Sequence, residues 1–468
     1  MRSKAQQEEY DAIVVGSGAA GGMTAFILAV NGLKVLMLEA GRDYDPVTET
    51  PMFQLPMEAP LRGGWTPEKP FGFYDATVDG GWQVPGEPYA SAEDTNFLWW
   101  RARMLGGRTN HWGRISLRMG PYDFKPYSRD GLGADWPMTY DDLEPWYDRT
   151  EALIGVYGAN DGLENTPNSS PGILQPPPAP RATELLMKQA CDGLDVPMVA
   201  GHLAILTRTQ DPERLPRMLF PNNPLAQRVT AESMRSRAAC FWATPCGRGC
   251  SIKANFQSTT VLIPPALATG NLEIRTDAMV REVTVDSQGR ATGVHYVDKA
   301  TRQDVHVQGR VVVLTASACE SARILLNSTS SRFPDGLANG SGLVGKYIMD
   351  TVGAGLGGQI PALENLPPHN TDGASAMHLY MPWWLYQEQA AGRLDFARGY
   401  HIEPGGGRRM PGPGIFGGLE RWTEGAYGRR FKEEARRYYG SFVGFAGRGE
   451  MIPNDDCYCE IDPEGVDQ

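Results

Sequence analysis

The sequence predicts an α/β protein. One part is a doubly wound, Rossmann-type domain; the other is a second, α+β domain built on an antiparallel sheet. Three observations carry this reading. The opening stretch Asp11-Ala-Ile-Val-Val-Gly16-Ser-Gly18-Ala-Ala-Gly21 sets an apolar strand ahead of a G-x-G-x-x-G turn. A second strand, small-residue turn and helix run from Arg310 to Leu326. Between them lie segments whose apolar and polar residues alternate as in antiparallel strands.

Ala12 to Val15 shows no polar alternation, as expected of a parallel strand covered on both faces. Gly16 makes a tight turn, Gly18 admits backbone to a pyrophosphate, and Gly21 lets the next helix pack close. Met23 to Val30 supplies that helix, its N-terminal N–H groups, beside Ala19 and Ala20, turned to an anion. Lys34 to Leu38 reads as a second strand ending in Glu39, where a carboxylate meets ribose hydroxyls. Ala40, Gly41 and Arg42 close the unit, and Asp43 to Phe97 reads as an excursion over the surface.

The chain turns apolar again at Leu98 to Leu105 and enters Gly106-Gly107-Arg108-Thr109-Asn110-His111-Trp112-Gly113. Paired glycines mark a close backbone approach to something bound. A lone histidine is most often a satisfied structural residue, but the place of His111 on this loop favours a cofactor-facing role. Thr139 as N-cap, with Asp142 three residues on, starts a helix that ends near Gly155. Asn165 to Arg181, with Pro176-Pro-Pro-Ala-Pro180, reads as a stiff linker. Ala182 to Ala200 reads as helix then strand, and Arg208 to Arg237 as polar and turn-rich.

Cys240, Cys246 and Cys250 follow in the spacing C-x5-C-x3-C. Three soft thiolates could hold an iron–sulfur cluster, although no fourth partner is evident; the alternative is three reduced cysteines packed in a tight loop. Leu272 to Thr276, Met279 to Val285 and Ala291 to Val297 alternate like antiparallel strands, with a hairpin turn at Asp286 to Arg290. Val305 to Val307 and the second buried strand Arg310 to Leu314 continue the sheet, leading into Ala316 and a helix. His295 and His306 fall on strands read as sheet edges. The aromatic residues between Trp383 and Phe442 suit a carbohydrate-stacking surface or, more commonly, a core.

The whole-chain numbers set limits. A chain of 468 residues holds two or three domains, and a formal net charge of −11 argues against nucleic acid as the main partner. No apolar run reaches the length of a membrane span, and no secretory signal is read at the start. Seven cysteines, three of them clustered, do not look like a disulfide framework.

In order along the chain, the Gly16–Gly21 turn with Glu39-Ala-Gly41, the Gly106-Gly107-x-x-x-His111 loop and the segment Val311 to Leu326 resemble the glucose–methanol–choline (GMC) oxidoreductases. Arg101 to Ser116, Asp135 to Tyr147 and Cys246 to Cys250 are most similar to the bacterial sugar dehydrogenase branch (gluconate and glucoside dehydrogenases), with pyranose oxidases as relatives. The resemblance implies FAD bound in extended form by a discontinuous domain, residues 9–45, 98–158 and 250–355, with substrate-binding parts at 46–97, 159–249 and 356–450. It puts Gly16, Gly18, Ala19, Ala20 and Gly21 at the pyrophosphate, Glu39, Ala40 and Arg42 at the ribose, and Val280 at the adenine. Gly106, Gly107, Thr109, Asn110, His111 and Trp112 would line the isoalloxazine, with Ala316 on the late turn and a covalent flavin link through His111 as an option. The activity implied is oxidation of a CH–OH group of a sugar or related alcohol by hydride transfer to flavin N5.

The sequence departs from the family in one respect. The family's C-terminal catalytic histidine, and the second histidine or asparagine, are absent, and 451–468 reads as the start of a truncated C-terminal segment. The expectation is an incomplete chain of an FAD enzyme. The alternative is a non-catalytic flavin-fold binding or assembly subunit, or an inactive fragment. An ordinary NAD-binding protein is disfavoured by the long Gly106 to Gly113 loop. The partners implied are a small-molecule substrate and a small subunit or cytochrome. The compartment is cytoplasmic by default, or periplasmic if the chain is exported with a partner.

Overall fold

A computed structural model describes residues 9–50, 89–92, 95, 97, 99, 102–242, 246–366, 378–407 and 423–462. Most of the expected surface excursion, together with Leu98, Arg101, His369, Trp422 and 463–468, lies outside the described residues.

In chain order the strands are β1 (Glu9–Val15), β2 (Val35–Leu38), β3 (Val199–Ala200), β4 (Leu272–Arg275), β5 (Ala278–Val285), β6 (Ala291–Asp298), β7 (Gln303–Leu314), β8 (Thr351–Gln359), β9 (Leu379–Tyr380), β10 (Tyr400–Gly406) and β11 (Phe442–Glu450). The largest sheet has the order β4-β2-β1-β7-β6-β5. Four strands run parallel, in the register Val35↔Leu272, Ala12↔Val35 and Ala12↔Val311. The remaining pairs, β7 with β6 and β6 with β5, are antiparallel. Side chains on the parallel strands alternate between two cores. Val14, Val35 and Met37 pack toward helix α1 (Ala19–Val30), while Ile13, Val15, Leu36 and Leu38 pack toward the antiparallel meander. Burial on both faces accounts for the unbroken apolar runs in β1 and β2.

The chain leaves β1 through α1 to β2 on one side and reaches β1 again through β7 on the other. Such a reversal of direction opens a crevice at the carboxyl ends of the strands.

Several expectations need correction. Helix α1 begins at Ala19 rather than Met23, because its first turn is built of alanine and glycine for close packing and carries no apolar stripe. Leu272–Arg275 is parallel to β2, not antiparallel. The two segments expected after residue 303 are one strand, β7, whose last residues are only partly covered; Val311 is 54% exposed. His295 and His306 face one another on β6 and β7, inside the sheet, whose edge is β5. The polar stretch from Arg208 to Arg237 holds two helices, Arg214–Leu219 and Pro224–Arg235. The second is capped by Asn223, whose side chain accepts from the Ala226 N–H at 2.9 Å, with Pro224 at its first position. Ala226, Val229 and Met234 sink into the α1 core, and the charged residues on the other face hide that stripe from a reading by composition.

The helix Tyr140–Ile154 runs as expected, with the Asp142 carboxylate accepting from the Thr139 N–H at 2.8 Å and Gly155 left-handed at its end. Helix Ala182–Asp192 and β3 likewise follow in place. A second sheet, β10-β11-β8, is antiparallel, and the β3–β9 pair lies beside it through Met381 and Ile402. Trp383 is buried against Tyr122 and Tyr386, with ring centroids 6.2 and 5.1 Å away, and Trp384 packs on Tyr400. These rings pack on one another, while Tyr427 is 88% exposed.

Candidate cofactor site

The site is built from two glycine turns and the hydroxyl that joins them. Gly16, at φ +98°, turns the chain out of β1. A Cβ there would meet the Thr315 carbonyl at 2.7 Å and the Ala316 Cα at 3.0 Å, so the late turn lies directly against the first. At Gly21 a Cβ would lie 1.9 Å from the Gly16 carbonyl, which fixes how closely α1 seats on its own turn. Gly18 differs: nothing lies within 4 Å of the place a side chain would take. The N-terminus of α1 has no side-chain cap and no acid in its first turn, and Ala19 and Ala20 are exposed there. Uncapped N–H groups, an open approach and no competing carboxylate are the features that suit an anion.

The second turn approaches the first. Gly106 and Gly107 both take positive φ, and the nearest atom to a Cβ on Gly107 would be the Gly18 Cα, at 3.5 Å. The Gly106 N–H donates to Ser17 Oγ at 2.8 Å. Ser17 Oγ in turn donates to the Glu39 carboxylate, which also accepts from the Ser17 N–H at 3.2 Å and, on its other oxygen, from the Gly41 N–H at 2.8 Å. Burial pushes the Glu39 carboxyl up, opposed by these hydrogen bonds and by the nearby Arg103 charge. As placed, Glu39 ties the two turns together. Arg42 lies over the Tyr44 ring, and its carbonyl accepts from the Leu105 N–H at 2.8 Å.

From Gly107 to Asn110 the chain forms one turn of 3-10 helix. Thr109 Oγ1 donates to the Gly106 carbonyl and accepts from the Ser258 N–H at 3.0 Å. Asn110 donates to the Leu105 carbonyl at 2.8 Å and accepts from Thr259 at 3.1 Å. Trp112 packs edge-on against Phe256, with its ring N–H on the Phe256 carbonyl at 3.3 Å. Burial and the charges of Arg108 and Arg114 take the His111 imidazole down to about 4, so it is neutral at physiological pH.

The late turn carries an acid where the first turn has none. Its helix, Ala318–Asn327, carries Glu320 in the first turn, buried and ion-paired with Arg103 at 3.7 Å and Arg323 at 3.0 Å. Val280 is buried, and its carbonyl accepts from Arg323 at 2.8 Å.

Thiols Cys240, Cys246 and Cys250 are close enough to influence one another, and burial, reinforced by the other two, pushes Cys240 up to about 12. Yet among the described residues no group of three or more His, Cys, Asp or Glu side chains is arranged to hold a metal ion. As placed, these three thiols do not fit an iron–sulfur cluster. The other described histidines are engaged away from the crevice. His202 bonds the Ala159 carbonyl, His378 the Ala179 carbonyl and His401 the Glu403 carboxylate, while His295 and His306 lie ring to ring at 4.7 Å. The residues that sequence reasoning missed are Ser258, Thr259 and Arg114, which reach the glycine turn by contacts remote in sequence or hidden in a loop.

Residues 222–353 match the family described as GMC oxidoreductase. The chain carries a GMC oxidoreductase domain. It is 26% identical over 462 residues to the fructose dehydrogenase large subunit of Gluconobacter japonicus, covering 95% of this chain and 75% of that protein. It is 29% identical over 344 residues to a 2-methyl-1,2-propanediol dehydrogenase of Mycolicibacterium austroafricanum, covering 73% and 55%. To a 6'''-hydroxyparomomycin C oxidase of Streptomyces lividus it is 30% identical over 360 residues, covering 75% and 56%. The chain thus spans three quarters of the first of these relatives and a little over half of the other two. Its fold is similar to that of a formate oxidase from Aspergillus oryzae RIB40, at TM-score 0.53 and 14% identity, over 95% of this chain and 73% of that one. Pyridoxine 4-oxidase from Mesorbium loti gives TM-score 0.52 at 14% identity, over 94% and 71%. The chain thus has the α/β fold of these two oxidases. Among the described residues no helix is long and apolar enough to cross a membrane.

Proposed function

We propose that this chain binds FAD in extended form across the two glycine turns and belongs to an enzyme that oxidises a CH–OH group of a sugar or related alcohol. The observation that supports the reading is the closeness of the two turns: a Cβ on Gly107 would lie 3.5 Å from the Gly18 Cα, so the second turn sits beside the α1 N-terminus. The names of the relatives support the substrate class: a fructose dehydrogenase subunit, a diol dehydrogenase and an aminoglycoside oxidase. The large-subunit relative supports a smaller partner chain. The division into an FAD-binding part and a substrate-binding part is proposed along the same lines, the first around the β4-β2-β1-β7-β6-β5 sheet and the second around β10-β11-β8.

In this reading the α1 N–H groups with Gly18, Ala19 and Ala20 hold the pyrophosphate, and Glu39, Ala40 and Arg42 flank the ribose. Val280 backs the adenine. Gly106, Gly107 and Thr109 to Trp112 line the ring, with Ala316 behind the first turn. When bound, FAD accepts a hydride at N5. The protein's own part is to exclude water, hold the ring against the second turn, and keep the neutral His111 beside it to orient or tether it.

Reconstitution tests this. The purified protein mixed with FAD should turn yellow at one equivalent and bleach anaerobically with a sugar or alcohol from a panel. Colourless protein overturns the reading; yellow protein that no alcohol bleaches favours the binding-subunit alternative. Colour surviving denaturation marks a covalent link through His111.

A further inference from the structure

We propose that Arg114 is a positioning residue for the bound flavin: its guanidinium locks the ring-lining turn in place and sets an uncompensated positive charge behind it, raising the flavin's reduction potential. The inference rests on the FAD reading above.

The guanidinium is wholly buried and held by carbonyls from two separate segments. It donates to the Thr109 carbonyl at 2.8 Å, the Asn110 carbonyl at 3.0 Å and the Cys246 carbonyl at 2.9 Å. With its amide turned the other way, Asn255 accepts two further hydrogen bonds, each at 3.1 Å. The five N–H donors of an arginine in a fixed fork suit such a set; a lysine ammonium does not. Arg114 itself sits at φ +67°, an uncommon conformation for a residue with a side chain, and it aims the fork back at the turn it follows.

Among the described residues no carboxylate pairs with this cation. Burial takes the guanidinium down to about 10, partly opposed by the neighbouring Cys246, Cys250 and Tyr44, and its charge in turn lowers the His111 imidazole. It therefore remains charged at pH 7. A buried charge balanced only by carbonyl dipoles leaves a positive field in a poorly screening interior. The charge sits directly on the Thr109 and Asn110 carbonyls, in the turn proposed to line the flavin ring. A flavin that gains negative charge on reduction is stabilised by it, so the oxidised form becomes the stronger oxidant. The Cys246-Gly-Arg-Gly-Cys250 loop takes on a task in this arrangement: Gly247 packs against the His111 carbonyl, a Cβ there falling 3.7 Å away, and the Cys246 carbonyl anchors the guanidinium.

The test is the midpoint potential of the FAD-loaded protein, by equilibration with redox dyes, for wild type, Arg114→Gln and Arg114→Lys. R114Q should lower the reduction equilibrium at least tenfold, about 30 mV for a two-electron couple. R114K, which keeps the charge and loses the fork, should hold it within about threefold while melting at a lower temperature. An R114Q protein loaded with FAD at the wild-type potential overturns the proposal, as does an R114K potential that falls as far as that of R114Q. If R114Q does not fold, sulfite titration of the wild-type holoprotein decides. A positive field beside the ring favours the anionic sulfite adduct, so bleaching supports the proposal and resistance to sulfite overturns it. Wild-type protein that takes up no FAD fails the underlying reading instead, before any variant is compared.

Discussion

The crevice and the outer sheet both depend on glycine, and they use it in opposite ways. Around the crevice, backbone atoms fill the space beside Gly16 and Gly21, so shape there is set by main chain against main chain. In β8, Gly355, Gly357 and Gly358 meet nothing closer than 3.7 Å, and Leu356 between them is 77% exposed. The first set is required by contact. The second leaves open space along the edge strand of the β10-β11-β8 sheet, tight only at Gly353, where a Cβ would lie 2.9 Å from the Gly447 carbonyl. The outer region is instead held by side chains, by the packing of Trp383 with Tyr122 and by the half-buried Asp123.

The sharpest way to break this comparison is Gly21→Ala. With the Gly16 carbonyl 1.9 Å from the new Cβ, stability should fall by about 3 kcal/mol and FAD uptake should vanish, read by thermal melting and flavin absorbance. Gly18→Ala separates shape from binding. Its side chain enters open space, so the protein without FAD should melt within about 0.5 kcal/mol of wild type while FAD affinity drops at least tenfold. An unchanged affinity would remove Gly18 from the proposed site.

In the outer region the largest effect expected is one of pH. Burial, reinforced by Glu450, raises the Asp123 carboxyl to about 6, although it accepts from the Gly120 N–H at 2.6 Å. An unfolded aspartate titrates near 4. The folded state therefore favours the proton, and the stabilisation present below pH 4 is lost as pH rises through 6, by roughly 2 kcal/mol. Urea unfolding at pH 4, 5 and 7 should show that decline, and Asp123→Asn should flatten it. The smallest effect is Gly357→Ala in β8, expected to raise stability by about 0.5 kcal/mol because an alanine loses less freedom on folding; a marked loss would mean that β8 is as tightly fitted as the crevice.

What could be read in advance follows the same division. The β1–α1–β2 unit was legible because its logic is local: an apolar run, three spaced glycines and a terminal acid, all within one segment. The alternation of β5 to β7 gave the meander, but the direction of Leu272–Arg275 was not legible, since parallel pairing with β2 is decided by partners more than two hundred residues apart. The helices Arg214–Leu219 and Pro224–Arg235 were masked by charged residues on their outer faces. In the site itself the two turns could be named from sequence, and Ser17 lay in plain view between the glycines, yet its bridge from Glu39 to Gly106 needs coordinates to be seen. Arg114 gave no signal, because three carbonyls leave no mark on composition or spacing.

Strand β7 runs unbroken from Gln303 to Leu314 and delivers Thr315 to the floor of the crevice. Twelve residues of strand make a beam of roughly 40 Å, its far end at the surface turn Lys299–Arg302. The Lys299 N–H of that turn donates to the Asp277 carbonyl and the Asp277 N–H to the Gly41 carbonyl, each at 2.8 Å, so a spectroscopic tag grafted there would sit two main-chain hydrogen bonds from the proposed ribose end of the pocket.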